Sequence, residues 1–306
     1  MSGNVLVVGS LNLDLVVSAP SIPRPGQTVL GTDFQMFPGG KGANQAVSAA
    51  RQNASTAMVG RIGKDEFGER LLESLHTSGV GTEFVAVDPD LSTGVAFICV
   101  DEAGENAIVV APGANNGCAI EHLPGAIWEQ TDVVLLQLEI PLGTVTKAAA
   151  YAREHEALVI LDPAPPQVLP RNLLENVDIL VPNSSEAAVL AGMDDPVTEA
   201  NVQEVAEKLL SLGPKQVIVK LGADGAFLWG QYAKERVYGI PVESVDTTAA
   251  GDCYAGALGA CLARGATLLE AARYANVAAA IAVTRKGAQS SMPTSSEVET
   301  FIDKLK

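Results

Sequence analysis

Four apolar stretches decide the fold of this chain: DVVLLQLE (132–139), ALVILD (157–162), DILVPN (178–183) and QVIVKLG (216–222). Segments with helical character separate them. Strands that are apolar throughout must be covered on both faces, and helices that connect parallel strands provide that cover. We therefore predict an α/β fold with a mostly parallel central sheet flanked by helices.

N-terminal to these four stretches, the sequence predicts a first strand at 5–8 and two separate segments with a β pattern. The first contains extended stretches at 13–18 and 27–37, separated by the Pro/Gly-rich turn SIPRPG, and the second contains two strands around a short turn. These stretches could meet as a small sheet, a lid over the mouth of the core. The predicted division is an α/β core of residues 1–10, 40–91 and 113–306, with a β lid of residues 11–39 and 92–112.

The composition is that of a compact acidic protein. Of 306 residues 47% are hydrophobic and 18% charged, and the formal net charge is −16. Basic residues form no stripe or tail, which argues against nucleic acid and anionic membranes as partners. An acidic protein that binds a polyanion must do so with local groups, such as backbone amides, a helix N-terminus, single lysines and a divalent metal.

The sequence shows neither the pattern of a signal peptide or membrane span nor a cysteine spacing typical of disulfides or zinc. The N-terminus has no basic segment followed by a long apolar one, and the longest apolar run, 274–283, is shorter than the roughly 20 residues of a membrane-spanning helix. We expect a cytoplasmic protein. The cysteines Cys99, Cys118, Cys253 and Cys261 are scattered without C-x-x-C spacing, which favours reduced thiols over disulfides or a zinc site.

The stretch DTTAAGD (246–252) has the composition of an anion-binding helix start. Small residues let backbone N–H groups of Ala249, Ala250 and Gly251 face a phosphate, with help from the helix dipole. Asp252 then falls in the first helical turn, where a carboxylate could accept a proton from an attacking hydroxyl. Taken alone, such an aspartate is more often an ordinary helix-stabilising residue, and it is the stretch as a whole that favours a functional role for Asp252.

The stretch GGKGAN (39–44) offers glycines for close approach of a ligand and Asn44 as both donor and acceptor for sugar hydroxyls. It is not a Walker A loop, because Lys41 is followed by glycine. No G-x-G-x-x-G follows the first strand, which disfavours a dinucleotide dehydrogenase. Three further polar residues at strand ends, Asn12, Asp14 and Glu139, together resemble a hydroxyl-binding set.

These motifs resemble those of the ribokinase family of carbohydrate kinases, also called the PfkB family. The resemblance rests on GGKGAN, on the N-x-x-E motif at 183–186 and on DTTAAGD, in this order, and it covers essentially the whole chain. It implies a ribokinase-like fold and ATP-dependent phosphorylation of a sugar hydroxymethyl group. D-ribose, phosphorylated at its 5-hydroxyl with Asp252 as general base, is the leading candidate.

The resemblance also implies roles for individual residues. Sugar contacts are expected from Asn12, Asp14, Gly40, Lys41, Asn44, Glu139 and Asp252. ATP contacts are expected from Asn183, Lys220, Leu221, Gly222, Ala223, Asp224, Gly225, Gly251 and Asn276. Glu186 would organise Mg²⁺ through water, and an activating K⁺ would be bound by Asp246, Thr248, Ala282, Arg285, Gly287 and Ser291.

In this family the lid covers the sugar and packs against its twin, so a homodimer is expected, with Val95, Phe97, Ile98 and Ile108 at the interface or over the sugar. The chain departs from the family pattern at Lys220 and Cys253, where threonine is common. Because Cys253 is one residue beyond the predicted base at a helix N-terminus, we expect its thiol pKa to be lowered.

Two alternatives stay open. A sibling kinase could act on deoxyribose, fructose or adenosine, although aromatic residues are only 5% of the chain and few could stack on a base. A non-catalytic sugar or nucleotide sensor would have no need for an intact Asp252, Gly251 and Glu186.

Overall fold

Two β-sheets organise the chain in this computed structural model, which describes residues 3–305. Residues 1, 2 and 306, which the predicted core includes, lie outside the described residues. In chain order the strands are β1 (Asn4–Val8), β2 (Asn12–Ser18), β3 (Asp33–Gly39), β4 (Ser55–Gly63), β5 (Gly81–Asp88), β6 (Gly94–Val100), β7 (Asn106–Ala111), β8 (Val133–Leu136), β9 (Leu158–Leu161), β10 (Ile179–Leu180), β11 (Gln216–Lys220), β12 (Gly225–Gly230) and β13 (Lys234–Tyr238).

The larger sheet has nine strands within the described range, in the order β13-β12-β11-β10-β9-β8-β1-β4-β5. The strands from β11 to β5 pair in parallel, and β12 and β13 add an antiparallel hairpin at one edge. Parallel strands place all their carboxyl ends at the same edge of the sheet, where ligands of such folds bind. The predicted mostly parallel sheet is confirmed.

Helices connect the strands and cover both faces of this sheet. No helix between residues 3 and 305 combines the length and the apolar character needed to cross a bilayer. The helices are α1 (Lys41–Arg51), α2 (Glu66–Thr77), α3 (Gly125–Glu129), α4 (Leu142–Glu154), α5 (Arg171–Leu174), α6 (Ser184–Leu190), α7 (Val202–Leu210), α8 (Ala250–Ala263), α9 (Leu268–Ala282) and α10 (Ser295–Leu305).

The core consists of two apolar layers, one on each face of the larger sheet. Val5 and Val7 of β1 pack into the layer that contains α1, α2, α8 and α9, and Leu6 and Val8 pack into the layer that contains α4 to α7. Successive side chains of a strand point to opposite faces. A strand between two helical layers is therefore apolar at every position, which is why the central strands read as continuous apolar runs.

Side-chain caps define where several helices begin. Asp65 accepts a hydrogen bond from the backbone N–H of Gly68 at 2.9 Å and caps the start of α2. Thr267 and Glu270 form a capping box at the start of α9. Such caps satisfy N–H groups that have no partner inside the helix.

The smaller sheet contains four strands of the described chain, in the order β3-β2-β6-β7. Strands β2 and β3 pair antiparallel, β2 and β6 in parallel, and β6 and β7 antiparallel. These strands come from the two β stretches that the sequence analysis separates from the core. The small second sheet is thus present as predicted.

Two parts of the strand assignment differ from the prediction. The sequence predicts an extended stretch over 27–37, whereas the regular strand is Asp33–Gly39. The sequence reading does not find β5, which lies at the edge of the larger sheet with only Asp88 fully buried. An edge strand needs no continuous apolar run, so it lacks the pattern that marks the central strands.

Candidate active site

The site is built where α1 crosses α8, beside the carboxyl ends of the central strands. A methyl group on Gly256 would lie 2.4 Å from the backbone oxygen of Gln45, so the two helices can approach this closely only because position 256 has no side chain. At the crossing, Asn44 Nδ2 donates to Asp252 Oδ2 at 2.9 Å across 208 residues of sequence. The crossing therefore joins the GGKGAN and DTTAAGD motifs.

Asp252 is buried in the first turn of α8. Its second oxygen, Oδ1, accepts a hydrogen bond from Gln45 Nε2 at 3.3 Å. Burial raises the pKa of Asp252; the positive charge of Lys41 lowers it in part, and the negative charge of Asp162 raises it further. A carboxylate with a raised pKa accepts a proton more readily at neutral pH, which is the property of a general base.

The start of α8 leaves backbone donors free. Its N-cap residue Ala249 has a φ of +57°, in the left-handed region that non-glycine residues seldom occupy, and no side chain caps the helix. Of the predicted anion-hole residues, Ala250 has its N–H engaged with Thr247 O at 3.2 Å. The N–H of Gly251 donates to no group within residues 3–305, so it can face an anion.

One carboxylate oxygen of Glu139 connects several residues around the predicted sugar-binding side of the site. Its Oε2 accepts hydrogen bonds from Ser10 Oγ at 2.6 Å, Asn12 Nδ2 at 3.3 Å and the backbone N–H of Lys41 at 3.2 Å. Asn12 is fixed further, because its Oδ1 accepts from Asn115 Nδ2 at 2.8 Å. Among the described residues the other oxygen, Oε1, accepts no hydrogen bond and stays available for a hydroxyl.

Asp14 and Lys41 carry opposite charges in the same site. Burial raises the pKa of Asp14 to about 7, the charges of Glu139 and Asp252 raise it as well, and Lys41 partly offsets them. For Lys41, burial alone would lower the pKa, but the surrounding carboxylates, Asp252 first among them, raise it overall. Lys41 is therefore a cation and Asp14 is poised to change charge near neutral pH.

Within GGKGAN, Asn44 has an unsatisfied polar atom and Gly40 has a backbone conformation that requires glycine. Asn44 Oδ1 is buried and accepts no hydrogen bond from the part of the chain that the structure describes, which costs free energy unless a ligand supplies a donor. Gly40 has a φ of +87°, and a methyl group there would lie 2.6 Å from the backbone nitrogen of Asn12. Both its conformation and its surroundings require glycine.

The predicted nucleotide side begins at the ends of β10 and β11. Asn183 and Lys220 form a parallel bridge, which places the N-x-x-E motif beside the loop that starts at Lys220. Asn183 and Glu186 form a capping box for α6: Glu186 N–H donates to Asn183 Oδ1, and Asn183 N–H donates to Glu186 Oε2 at 2.7 Å. The motif therefore has a structural function in addition to any contact with nucleotide.

The remaining predicted ATP contacts lie on a tight loop and on α9. Leu221 N–H donates to Gly225 O at 2.7 Å, and a 3-10 turn, Gly222–Asp224, lies between them. On α9, Asn276 Nδ2 donates to the carbonyl oxygen of Tyr238 at 2.9 Å. The amide nitrogen of Asn276 is thus engaged with β13, and its oxygen is the part that could meet a ligand.

Oxygen donors for a divalent cation are present beside this loop. Burial raises the pKa of Glu186, the nearby charge of Asp162 raises it further, and Lys220 partly offsets both. No group of three or more metal-binding side chains occurs among residues 3–305. Because Mg²⁺ keeps several waters and takes one or two carboxylates along with substrate phosphates, the carboxylate of Glu186 fits it.

Asp246 joins the two loops that the prediction assigns to a monovalent cation. Its Oδ1 accepts from Thr248 N–H and its Oδ2 from Gly287 N–H, both at 2.9 Å. Burial alone would raise the pKa of Asp246, but these hydrogen bonds lower it overall.

The other residues predicted to bind the monovalent cation already have partners within the chain. Ser291 is buried on the second loop, where its hydroxyl donates to Ala288 O at 2.8 Å. Arg285 pairs with Glu297 at 2.7 Å, and the carbonyl of Ala282 accepts from Arg285 N–H at 3.1 Å.

Sequence reasoning missed two residues at the centre of the site, Gln45 and Asp162. Gln45 Nε2 donates to Asp162 Oδ2 at 3.1 Å in addition to Asp252, and its own oxygen accepts from Gln137 Nε2 at 2.6 Å. A signal was available for Asp162: it is a carboxylate that ends the apolar stretch ALVILD, as Glu139 follows its own strand. Gln45 follows GGKGAN and is a polar residue on a fully buried part of α1.

The prediction for Cys253 is wrong. Cys253 is fully buried in α8, where Ser48 Oγ donates to its carbonyl oxygen at 2.8 Å. Burial raises the pKa of its thiol to about 12, because a thiolate is poorly solvated there. All four cysteines are free, as predicted.

Comparison with known proteins agrees with this geometry. A profile of the pfkB family carbohydrate kinases matches residues 2–295. Ribokinase from Haemophilus influenzae is 38% identical over 305 residues, covering 99% of this chain and 99% of that protein. Ribokinase from Bacillus subtilis is 38% identical over 301 residues, covering 98% and 99%. The structure of Arabidopsis thaliana ribokinase complexed with ribose and ATP has a TM-score of 0.91 and 34% identity, with 99% of each chain covered.

The fold and the site are those of a kinase that acts on carbohydrates. This chain belongs to the pfkB family of carbohydrate kinases, as the resemblance in the sequence predicts.

We predict that Gly40→Ala lowers both stability and sugar affinity. Strain at a positive φ costs on the order of 1–3 kcal/mol, and the added methyl would also push against Asn12. Gly79→Ala is the matched control, because its φ is +79° and nothing lies within 4 Å of an added methyl. Urea unfolding and kcat/KM should separate the two variants; equal stability losses together with unchanged kcat/KM in Gly40→Ala would contradict the prediction.

Proposed function

We propose that this chain transfers the γ-phosphoryl group of ATP to the 5-hydroxyl of D-ribose, giving D-ribose 5-phosphate and ADP. The observation that supports the proposal is the contact of Asn44 with the buried carboxylate of Asp252, because it joins the residues expected to contact the sugar to the start of α8. The relatives named ribokinase, and the solved ribokinase that holds ribose and ATP, support these substrates.

In the proposed step Asp252 takes the proton of the ribose 5-hydroxyl while the 5-oxygen of ribose forms a bond to the γ-phosphorus. The bond between that phosphorus and the oxygen bridging to the β-phosphate breaks, and ADP leaves with the electron pair. The free N–H of Gly251 and the positive end of the α8 dipole stabilise the negative charge on the transferred group.

The other hydroxyls of ribose have matching groups on the sugar side. Asp14, the free oxygen Oε1 of Glu139 and the unpartnered Oδ1 of Asn44 are acceptors for hydroxyl donors. Lys41 is a donor and keeps its positive charge because carboxylates surround it. A ligand with several adjacent hydroxyls satisfies these groups better than an apolar one.

Glu186 would hold Mg²⁺ through water, because both of its oxygens already accept hydrogen bonds from Asn183. When bound with ATP, Mg²⁺ neutralises phosphate charge. A monovalent cation such as K⁺ would lie between the loops joined by Asp246, with oxygens of Thr248, Ala282, Arg285, Gly287 and Ser291. An ion there would fix the loop that leads into α8 and would not touch the substrate.

The smaller sheet would serve as the lid over the sugar and as a dimer interface. Strand pairing puts Phe34, Phe97 and Val109 on one face of it, and these side chains are 54%, 53% and 68% exposed. All of β7 is exposed. An apolar sheet face of this kind is costly in water unless it is covered, and a second copy of the chain would cover it.

We predict that Asp252→Asn lowers kcat by roughly 10²–10⁴, the usual contribution of a general base. ADP release from Mg-ATP should be measured with D-ribose, 2-deoxyribose, fructose and adenosine, each in K⁺ and in Na⁺. Asp195→Asn, at an exposed aspartate outside all three motifs, is the control and should keep full activity. Wild-type turnover confined to an acceptor other than ribose would refute the substrate, and full activity of Asp252→Asn would refute the base.

We predict that kcat/KM for ribose falls as the pH drops below about 7. The raised pKa of Asp14 means that its carboxylate gains a proton in this range, and a protonated carboxyl accepts hydroxyl hydrogen bonds less well. In Asp14→Asn this ionisation should be absent, and any remaining acid limb belongs to other carboxyl groups with a raised pKa, such as Asp252 and Glu186. A pH profile of Asp14→Asn that keeps the wild-type midpoint would overturn the assignment.

We predict that the wild type sediments as a dimer at micromolar concentration and that Val109→Asp sediments as a monomer. A carboxylate in the centre of an apolar interface loses its hydration without gaining a partner. Val168→Asp is the control, because Val168 is 93% exposed and lies outside the smaller sheet. Sedimentation velocity checks both, and a wild-type monomer would exclude this interface.

A further inference from the structure

A buried ion pair lies next to the proposed anion hole. Lys220 Nζ is 3.1 Å from Asp162 Oδ1, and the two side chains are only 12% and 3% exposed. Removing two charges from water is costly, and their mutual attraction does not always offset that cost. A pair in this position therefore calls for a reason beyond stability.

The ammonium group of Lys220 borders the start of α8. A methyl group built on Gly251 would lie 3.1 Å from Lys220 Nζ. The ammonium of Lys220 thus lies close to Gly251, the residue whose N–H is free. An ammonium has three N–H donors, and Asp162 accepts one of them, so two can serve an anion.

We propose that Lys220 is a catalytic residue whose ammonium binds the phosphoryl group during transfer, and that Asp162 is the positioning residue that holds this ammonium beside Gly251. The proposal rests on the proposed function, with ATP as the donor. As the O–P bond to the sugar forms and the P–O bond to ADP breaks, negative charge on the phosphoryl oxygens is met by Lys220, while the proton goes to Asp252.

Gln45 ties this pair to the base. Its amide nitrogen donates to Asp162 at 3.1 Å and to Asp252 at 3.3 Å, and the hydrogen bond from Gln137 to its oxygen sets the orientation of that amide. Lys220, Asp162, Gln45 and Asp252 therefore form one continuous polar chain. This series of hydrogen bonds fixes the distance between the carboxylate of Asp252, which takes the proton, and the ammonium of Lys220, which stabilises the phosphoryl charge. Phosphoryl transfer requires such positioning.

A purely structural role makes a different prediction. If Lys220 only neutralised Asp162, then removing both charges together would restore a neutral, hydrogen-bonded interior with full activity. The chain offers this comparison through Lys220→Met, Asp162→Asn and the double variant. In the double variant the amide oxygen introduced at position 162 would still accept a hydrogen bond from Gln45.

We expect Lys220→Met to unfold at lower urea concentration, because Asp162 is then buried without its partner, and the double variant to recover most of that loss. We expect kcat to fall by roughly 10²–10³ in Lys220→Met, the size of effect that follows loss of one transition-state donor, and to stay low in the double variant. Recovery of kcat together with stability in the double variant would overturn the proposal.

A second measurement does not depend on the sugar. Calorimetric titration without sugar should show that the double variant binds the ATP analogue AMP-PNP at least about tenfold more weakly than the wild type does, whereas AMP, which lacks the outer phosphates, binds both equally. Equal affinity for AMP-PNP in the two proteins would refute contact of Lys220 with the phosphates. If the lysine dependence is present but wild type phosphorylates an acceptor other than ribose, the inference stands and only the substrate assignment fails.

Discussion

The close crossing of α1 and α8 is the contact on which the site depends. Position 256 must be glycine because the backbone of Gln45 occupies the space that a side chain would take. Ser48 Oγ bonds to the carbonyl of Cys253 from the opposite helix and secures the approach. With the helices this close, Asn44 and Gln45 both reach the carboxylate of Asp252. The geometry of the site is thus a property of helix packing and does not rely on flexible loops.

Several carboxylates lie close together in the site, and two lysines partly compensate their negative charge. Burial first, and neighbouring carboxylates in addition, raise the pKa values of Asp14, Asp252 and Glu186, and this is unfavourable for folding because each carboxyl is ionised in water at neutral pH. Lys41 and Lys220 offset part of the repulsion. An acidic protein with a net charge of −16 can therefore still present positive groups and backbone donors locally to a nucleotide. The field of the whole protein does not determine which ligand binds.

Much of the architecture was predictable because its signals are local. Continuous apolar runs such as DVVLLQLE identify buried parallel strands, and the glycines and small residues of GGKGAN and DTTAAGD mark the starts of α1 and α8. Edge strand β5 could not be found in this way, since half-exposed strands carry no such run. The engagement of Ala250 N–H in a turn was equally hidden, because it depends on the left-handed conformation of Ala249.

Effects that depend on burial and on pairs of distant residues were beyond the sequence. A helix N-terminus favours a thiolate, yet the complete burial of Cys253 dominates and raises its pKa. Lys220 and Asp162 meet because β9 and β11 both pair with β10, so that residues 58 positions apart end at the same edge of the sheet. A lysine at position 220 without an acid at 162 would be a buried, unpaired cation. These two residues must therefore be considered as a single feature of the site, and neither can be interpreted from its own motif alone.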